Sequence, residues 1–213
     1  MTQTSPIPPN CDLDAQILHG VAVAFPSINI DTDAIFPKQF LKTIKRSGLE
    51  DALFADWRFD QDGLPDQSFV LNKSSFRDAK ILIAGDNFGC GSSREHAVWA
   101  LKDFGIKALI STSFGSIFHN NCVKNMIWPL TISPQDLKVL IQLTLSDQPK
   151  ALTVNLRKMA IFPGDSTTIR ASIPVNDFNS LLSGLDEIDQ TLLKHKTIDA
   201  FEKEHQRRFP WLS

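Results

Sequence analysis

Apolar and polar residues alternate along the chain with two different spacings, which together predict a mixture of strands and helices. The mainly apolar segment at residues 17–25 predicts a first strand, and Pro26 ends it. A short helix is predicted from Pro37 through residues 40–41, because proline suits the first turn of a helix. Gly48 ends that helix, and a second short helix is predicted to follow it.

The most regular pattern lies in the middle of the chain. A strand is predicted at residues 80–84, followed by a glycine-rich loop at 85–91 and a helix that ends at Gly105. Two further strands are predicted at 108–111 and 127–132, with an apolar helical stripe between them. This part of the chain therefore has the order strand, loop, helix, strand, helix, strand.

The C-terminal part continues the mixture. The Ser-Pro pair at residues 133–134 predicts a helix start, because serine caps helices and proline fits their first turn. Short strands are predicted near residues 152–156, 159–162 and 167–171. The apolar residues beyond them have helical spacing, which Gly184 interrupts.

This order of elements predicts an α/β fold with partly parallel strands joined by crossover helices. Residues 1–16 hold three prolines and little periodic apolar content, so we predict a mobile N-terminal arm there. Residues 17–175 are predicted to form the α/β domain. Residues 176–213 are predicted to form a C-terminal helical extension packed on that domain.

Composition and charge narrow the class of protein. The 213 residues include 22 Lys+Arg and 24 Asp+Glu, for a net charge of -2, which disfavours nucleic acid or an anionic membrane as a partner. The longest apolar runs, residues 21–25 and 97–101, are much shorter than the about 20 residues of a membrane span. They are also shorter than the core of a signal peptide. We therefore expect a soluble protein that is not exported, and its few scattered cysteines favour a reducing cytoplasm.

The three cysteines, Cys11, Cys90 and Cys122, stand far apart and form no Cys-x-x-Cys pair. An odd number of scattered cysteines predicts neither a disulfide framework nor a metal site held by this chain alone. Cys90 lies in the glycine-rich loop, but the sequence shows no partner that would make it a catalytic thiol.

The sequence GDNFGCGSSREH, residues 85–96, has the composition of an anion-binding loop. A helix N-terminus presents N–H groups without intrahelical partners, and Gly89 and Gly91 let a ligand approach the backbone. Arg94 adds a planar fork that fits a carboxylate or a phosphate. Because Arg94 stands where a dinucleotide fingerprint has its third glycine, and no lysine occupies the Walker position, a small carboxylate is the favoured ligand.

Two interpretations of Ser92 and Ser93 remain open at this point. In the first, one serine merely caps the following helix. In the second, one hydroxyl acts as a base, because the helix N-terminus and Arg94 stabilise its alkoxide. A Ser-His hydrolase is disfavoured, since His96 follows too closely on the same helix and the G-x-S-x-G pattern is absent.

Six residues of the segment that follows the first strand are further candidates. Asp31 and Asp33 have the spacing of a loop or helix cap, and Asp33 is also a candidate to support a binding site. Phe36, Phe40 and Leu41 can form an apolar wall for a branched alkyl group, although packing in the core is the alternative for at least one of them. Lys38 can meet a second carboxylate or remain solvated.

Four segments of the chain closely resemble the small-subunit family of bacterial 3-isopropylmalate dehydratases, within the aconitase superfamily. The resemblance covers roughly residues 14–210 and is carried by NIDTDAIFPKQFL, FADWRF, FVLN and GDNFGCGSSREHAVWALKDFGIKALISTSFGSIFHNN. The string GCGSSREHA is highly specific to the superfamily, whereas the first two segments indicate the isopropylmalate branch.

The resemblance implies a swivelling three-layer β/β/α domain, equivalent to the mobile last domain of aconitase. It also implies a separate large subunit that carries a 4Fe-4S cluster, in keeping with a chain that lacks cluster cysteines of its own. The implied reaction dehydrates 2-isopropylmalate and rehydrates it as 3-isopropylmalate in leucine biosynthesis. The cluster iron would act as the Lewis acid for the departing hydroxide, so the isolated chain is expected to be inactive.

The resemblance also implies roles for individual residues. It makes Ser92 the base, and it makes Ser93 and Arg94 ligands of the substrate carboxylate. It places Phe40 and Leu41 near the variable group of the substrate. The partner of the second carboxylate stays open among Lys38, Arg46 and the large subunit.

Three alternative functions are weighed beside this one. The chain can be a carboxylate-binding or regulatory domain without catalysis, or the small subunit of a related hydro-lyase of the citramalate or homoaconitase type. An NAD-binding oxidoreductase half is disfavoured because the third glycine of the fingerprint is missing.

Overall fold

A computed structural model describes residues 16–41, 46–145, 148–164, 167–185 and 187–212. The predicted N-terminal arm therefore lies outside the described residues, apart from Gln16. No helix in the described ranges combines the length and the apolar character that crossing a bilayer requires.

Within the described ranges, seven strands form one curled sheet. Strands β1 to β7 are Ile17–Phe25, Ile81–Ala84, Ala108–Ser111, Trp128–Thr131, Lys150–Asn155, Ala160–Phe162 and Ile169–Arg170. Their order across the sheet is β4-β3-β2-β1-β5-β6-β7, in which β4 to β1 run parallel and β5 to β7 pair antiparallel. All seven predicted strands are confirmed, with ends that agree within two residues.

The two edges of the sheet are joined by one short bridge. The Thr131 N–H donates to the Ser172 carbonyl at 2.9 Å, and the Ser172 N–H donates to the Thr131 carbonyl at 2.8 Å. Thr131 ends β4, and Ser172 follows β7 closely. The bridge pairs backbone groups that an open edge would leave exposed, so it favours the curled shape.

The part of the chain that the structure describes has eight α-helices beside the sheet. Helices α1 to α8 are Thr32–Ile35, Ala55–Arg58, Glu95–Phe104, Ser116–Lys124, Pro134–Thr144, Val175–Ser183, Glu187–Leu192 and His195–Arg208. Shorter 3-10 helices occur at Lys38–Phe40, Glu50–Ala52, Val70–Asn72, Ser74–Phe76 and Pro210–Leu212.

Local signals set several of these boundaries as predicted. Ser133 caps α5, because its hydroxyl accepts a hydrogen bond from the Asp136 N–H. Gly105 and Gly184 end α3 and α6 with φ of 108° and 65°, a left-handed conformation that suits glycine. The helix predicted from Pro37 is instead a 3-10 turn that begins after it, at Lys38.

Both faces of the parallel part of the sheet are buried, as the burial of its strands shows. All four residues of β2 are buried, with Leu82 and Ala84 facing one apolar cluster and Ile81 and Ile83 facing the other. Helices α1, α3 and α4 contribute to the first cluster, whereas α5 and α6 contribute to the second. A parallel sheet covered by crossover helices on both faces requires such continuous apolar runs. The predicted α/β class is confirmed.

Most of the described residues from 176 onward are helical. Helix α6 buries Leu181 and Leu182, whereas α8 buries none of its side chains. The domain boundaries at residues 17–175 and 176–213 stay predictions.

Candidate active site

The candidate site lies where three loops meet at the carboxyl ends of parallel strands. The Gly89 N–H donates to the Ile30 carbonyl at 2.7 Å and joins the loops after β1 and β2. The Gly115 N–H donates to the Phe88 carbonyl at 2.9 Å and joins the loop after β3 to the same assembly. In open α/β sheets, ligands bind in the crevice outside these strand ends.

Asp86, the second residue after β2, holds the loop that follows β3. Its carboxylate accepts hydrogen bonds from the hydroxyls of Thr112 and Ser113, each at 2.7 Å. These bonds favour the ionised form, with Thr112 making the larger contribution, and they lower the pKa of the exposed Asp86 carboxyl. These hydrogen bonds thereby hold the loop after β3 against the first residues of the glycine-rich loop.

Helix α1 begins within the Asp-Thr-Asp triplet, where the sequence pattern predicts a loop or a helix cap. Asp31 caps this helix, because its carboxylate accepts a hydrogen bond from the Ala34 N–H at 2.7 Å. The cap interpretation of Asp31 is confirmed. The Thr32 N–H donates to the Cys90 carbonyl at 3.0 Å, so the start of α1 is bound to the glycine-rich loop.

Ser92 is exposed, and its hydroxyl pairs with that of Thr32. The two side-chain oxygens lie 2.9 Å apart, and Thr32 Oγ1 also lies 3.2 Å from the Ser92 carbonyl oxygen. Nothing in the apolar pattern predicts a role for Thr32. The available signal is its position between Asp31 and Asp33, both of which are candidates on other grounds.

Arg94 forms an ion pair with Asp33, in which its Nη1 donates to the Asp33 carboxylate. The Arg94 side chain is 20% exposed, whereas that of Asp33 is 53% exposed. A carboxylate therefore already occupies one of the donors predicted to bind the substrate. Asp33 supports the loop through Arg94.

Helix α3 begins one residue after Arg94, and its N-terminus has no side-chain cap. The interpretation of Ser92 or Ser93 as a helix cap is wrong, because Arg94 is the N-cap residue. The first N–H groups of a helix lack intrahelical partners and carry partial positive charge. This end of α3 can therefore bind an anion beside Arg94 and Ser93. Of these two side chains, Ser93 is exposed.

The two glycines of the loop differ in surroundings. Gly89 is buried with φ of +71°, and a Cβ there would lie 2.2 Å from Cγ of Phe118. Gly91 is exposed with φ of +90°, and a Cβ there would lie 3.5 Å from Cβ of Asp31. Phe118 therefore fills the space beside Gly89, whereas the backbone at Gly91 is open to solvent.

The segment with Lys38, Phe40 and Leu41 lies on the surface. Phe40 is 38% exposed and Leu41 is 36% exposed, and Lys38 is also exposed. The Phe40 ring lies 6.1 Å from that of Phe36, which lies 5.5 Å from the ring of His96 in α3. Aromatic contacts thus connect this segment to helix α3, which follows the glycine-rich loop.

His96 lies among aromatic rings. Its ring lies 5.5 Å from Phe36 and 4.6 Å from Trp99, while the Ser92 hydroxyl pairs with Thr32. This arrangement disfavours the Ser-His hydrolase. Arg46 also lies here, with its guanidinium carbon 4.9 Å from the centre of the Trp99 ring.

The described residues form no cluster of three His, Cys, Asp or Glu side chains that would hold a metal ion. Cys122 is buried in α4, and burial raises the pKa of its thiol well above the ordinary value. Cys90 is half-buried in the glycine-rich loop. These residues do not fit an iron-sulfur cluster, which takes several converging thiolates.

Two family models match the chain. The Aconitase C-terminal domain model matches residues 15–135. The model for the C-terminal domain of the 3-isopropylmalate dehydratase small subunit matches residues 187–213.

Relatives of known name are similar over nearly the whole chain. The 3-isopropylmalate dehydratase small subunit of Rhizobium etli is 52% identical over 194 residues, which cover 91% of this chain and 96% of the relative. The protein of the same name from Brucella canis is 50% identical over 196 residues, with the same coverage. The crystal structure of 3-isopropylmalate dehydratase from Methanocaldococcus jannaschii superposes with a TM-score of 0.64 at 29% identity. The superposition covers 87% of this chain and 99% of the archaeal chain.

Proposed function

Because the chain belongs to the 3-isopropylmalate dehydratase small-subunit family of the aconitase superfamily, we propose that its glycine-rich loop supplies the base and the carboxylate-binding groups of that reaction. The chain is a subunit of a hydro-lyase of leucine biosynthesis and acts together with a large subunit. The observation that carries the proposal is the placement of Ser92, Ser93 and Arg94 directly before the uncapped N-terminus of α3.

The base in this proposal is the Ser92 hydroxyl. The reaction removes a proton from a carbon next to a carboxylate, and that proton is only weakly acidic. The positive end of α3 and the Arg94 guanidinium favour the Ser92 alkoxide over the neutral hydroxyl. Ser92 Oγ takes the proton during dehydration and returns it to the neighbouring carbon during rehydration.

Arg94 and Ser93 hold a substrate carboxylate. A guanidinium has five N–H donors, and the ion pair with Asp33 engages Nη1. Enough donors remain for a carboxylate to bind through two parallel hydrogen bonds. The developing negative charge on that carboxylate lies near the same positive groups, so proton removal is stabilised where charge appears.

Phe40 and Leu41 form the apolar wall for the isopropyl group in this proposal. Their partial exposure and the contact of Phe40 with Phe36 support it. Lys38, exposed at the start of the same 3-10 turn, is a candidate for the second carboxylate. A hydrophobic pocket discriminates by about 1–3 kcal/mol per methylene, so the two additional carbons of the isopropyl group should favour isopropylmalate over citramalate by about 2–6 kcal/mol.

The large subunit holds the 4Fe-4S cluster in this proposal, since the described residues of this chain do not fit one. When bound there, the cluster supplies the Lewis acid for the hydroxyl group of the substrate. Each of the two subunits holds part of the machinery, so this chain alone is expected to have no isomerase activity.

Reconstitution tests the proposal. The chain is mixed with the cluster-loaded large subunit and assayed for interconversion of 2- and 3-isopropylmalate, with each protein alone as the control. We expect isomerase activity only when both proteins are present. Binding of isopropylmalate without turnover would favour the regulatory domain, and preferred turnover of citramalate or homoaconitate would favour a related hydro-lyase.

A further inference from the structure

Thr32 combines a polar side chain with nearly complete burial. It is 1% exposed, although it is the first residue of the four-residue helix α1. Its hydroxyl lies within hydrogen-bond distance of two atoms of one residue, Oγ and the carbonyl oxygen of Ser92. The burial and the two contacts link Thr32 to the proposed base.

The number of protons limits how these contacts are made. A hydroxyl has one proton to donate, so Thr32 donates either to the Ser92 carbonyl or to Ser92 Oγ. While Ser92 is neutral, its own hydroxyl can donate to Thr32 Oγ1, and Thr32 then donates to the Ser92 carbonyl at 3.2 Å. Once Ser92 is an alkoxide, it has no proton to donate, and its oxygen becomes the stronger acceptor.

We propose that Thr32 is a positioning residue for Ser92. The Thr32 hydroxyl donates to the Ser92 carbonyl while Ser92 is neutral, and it donates to the Ser92 alkoxide when the base is ionised. The inference rests on the proposed role of Ser92. Thr32 keeps its proton throughout and transfers none. The proton from the substrate carbon goes to Ser92 Oγ and returns from there.

The surroundings hold Thr32 in the position that this role requires. Its N–H donates to the Cys90 carbonyl, two residues before Ser92, and Asp31 caps its helix. Threonine is branched at Cβ, which restricts the rotation of its side chain. The oxygen–oxygen distance of 2.9 Å therefore needs little movement to shorten toward the length of a charge-assisted hydrogen bond.

Two substitutions separate this role from a structural one. Thr32→Val removes the hydroxyl and keeps the shape, whereas Thr32→Ser keeps the hydroxyl. In the assembled enzyme, we expect Thr32→Val to lower kcat about 10- to 100-fold with KM nearly unchanged. The pH profile of kcat should move to higher pH, because the alkoxide loses a donor. Thr32→Ser should stay within about threefold of the wild type.

Thr144→Val is the matched control. Thr144 is also buried, and its hydroxyl donates to a backbone carbonyl, that of Leu140 at 2.7 Å, within α5. This variant should leave kcat and its pH profile unchanged.

Three outcomes would contradict the inference. An unchanged kcat and pH profile in Thr32→Val would overturn it, and so would a loss of activity that Thr32→Ser does not rescue. An inactive wild-type assembly would instead overturn the proposed function, and the inference with it.

Discussion

Asp33 and Arg94 form an ion pair across 61 positions of sequence and join the loops that follow β1 and β2. Asp33 is about half exposed, so solvent screens the pair and its contribution to folding stability is small. The ion pair matters instead because it sets the orientation of the Arg94 side chain. The guanidinium that is proposed to bind the substrate carboxylate is held in place by a carboxylate of the chain itself.

Replacement of Asp33 tests whether this orientation matters. Asp33→Ala removes the acceptor, so the Arg94 fork gains freedom, and we expect KM to rise severalfold with a smaller change in kcat. Asp33→Asn keeps an oxygen acceptor and should stay within about twofold of the wild-type KM. Steady-state kinetics of the assembled enzyme measure both variants. Equal increases in KM would show that the charge of Asp33, rather than its geometry, is what Arg94 needs.

Arg94→Lys keeps the positive charge but loses the planar fork. Since two parallel hydrogen bonds to a carboxylate become one, we expect KM to rise about tenfold or more. Arg77→Lys, at an exposed position, is the control and should change nothing. A wild-type KM in Arg94→Lys would exclude carboxylate binding at this residue.

Ser92→Ala and Ser93→Ala distinguish the two serines of the loop. Ser92→Ala should lower kcat by at least about 100-fold, because a positioned base contributes that much or more. Ser93→Ala should mainly raise KM. Whether both variants still assemble is checked by their co-elution with the large subunit. Substantial turnover in Ser92→Ala would remove Ser92 as the base.

The chain's own sequence predicts the sheet well, since the information is local. All residues of β2 and β3 are buried, and their continuous apolar runs stand out from the flanking loops. The ends of α3 and α5 are equally local, because Gly105 and Ser133 act on the turn next to them. Such signals require no knowledge of distant residues.

The site is predicted less completely, because its contacts join distant segments. Thr32 meets Ser92 across 60 positions, and no spacing rule shows that pairing. The serine-cap interpretation is wrong for the same reason. The Ser92 hydroxyl is engaged by Thr32, and α3 begins at Glu95, so neither serine is the N-cap residue.

The buried thiol of Cys122 should lower the free energy of unfolding as the pH becomes alkaline. Burial raises the pKa of its thiol, so above the ordinary thiol pKa of about 8.5 the folded state holds a proton that the unfolded state loses. This stabilising contribution is complete below that pH and is lost as pH rises further. The free energy of unfolding should therefore fall as the pH rises above about 8.5, and less so in Cys122→Ala. Urea unfolding with a reductant measures both proteins, and identical pH slopes would contradict this expectation.

Gly89→Ala tests the packing beneath the loop. A Cβ at residue 89 would lie 2.2 Å from the Phe118 ring, so the ring or the loop has to move. The left-handed backbone at φ of +71° adds strain for any residue with a Cβ. We expect the free energy of unfolding to fall by about 2–4 kcal/mol, from overpacking and backbone strain together.

Gly164→Ala is the control for that substitution, because a Cβ there would meet nothing within 4 Å. It should change the free energy of unfolding by less than about 0.5 kcal/mol. Urea denaturation compares the two variants with the wild type, and kcat of the assembled enzymes shows whether the loop has moved. Since Ser92 and Arg94 lie on the same loop as residue 89, a displaced loop should also lower kcat. Equal stability of Gly89→Ala and Gly164→Ala would show that Phe118 yields freely, and that this ring does not fix the position of the loop.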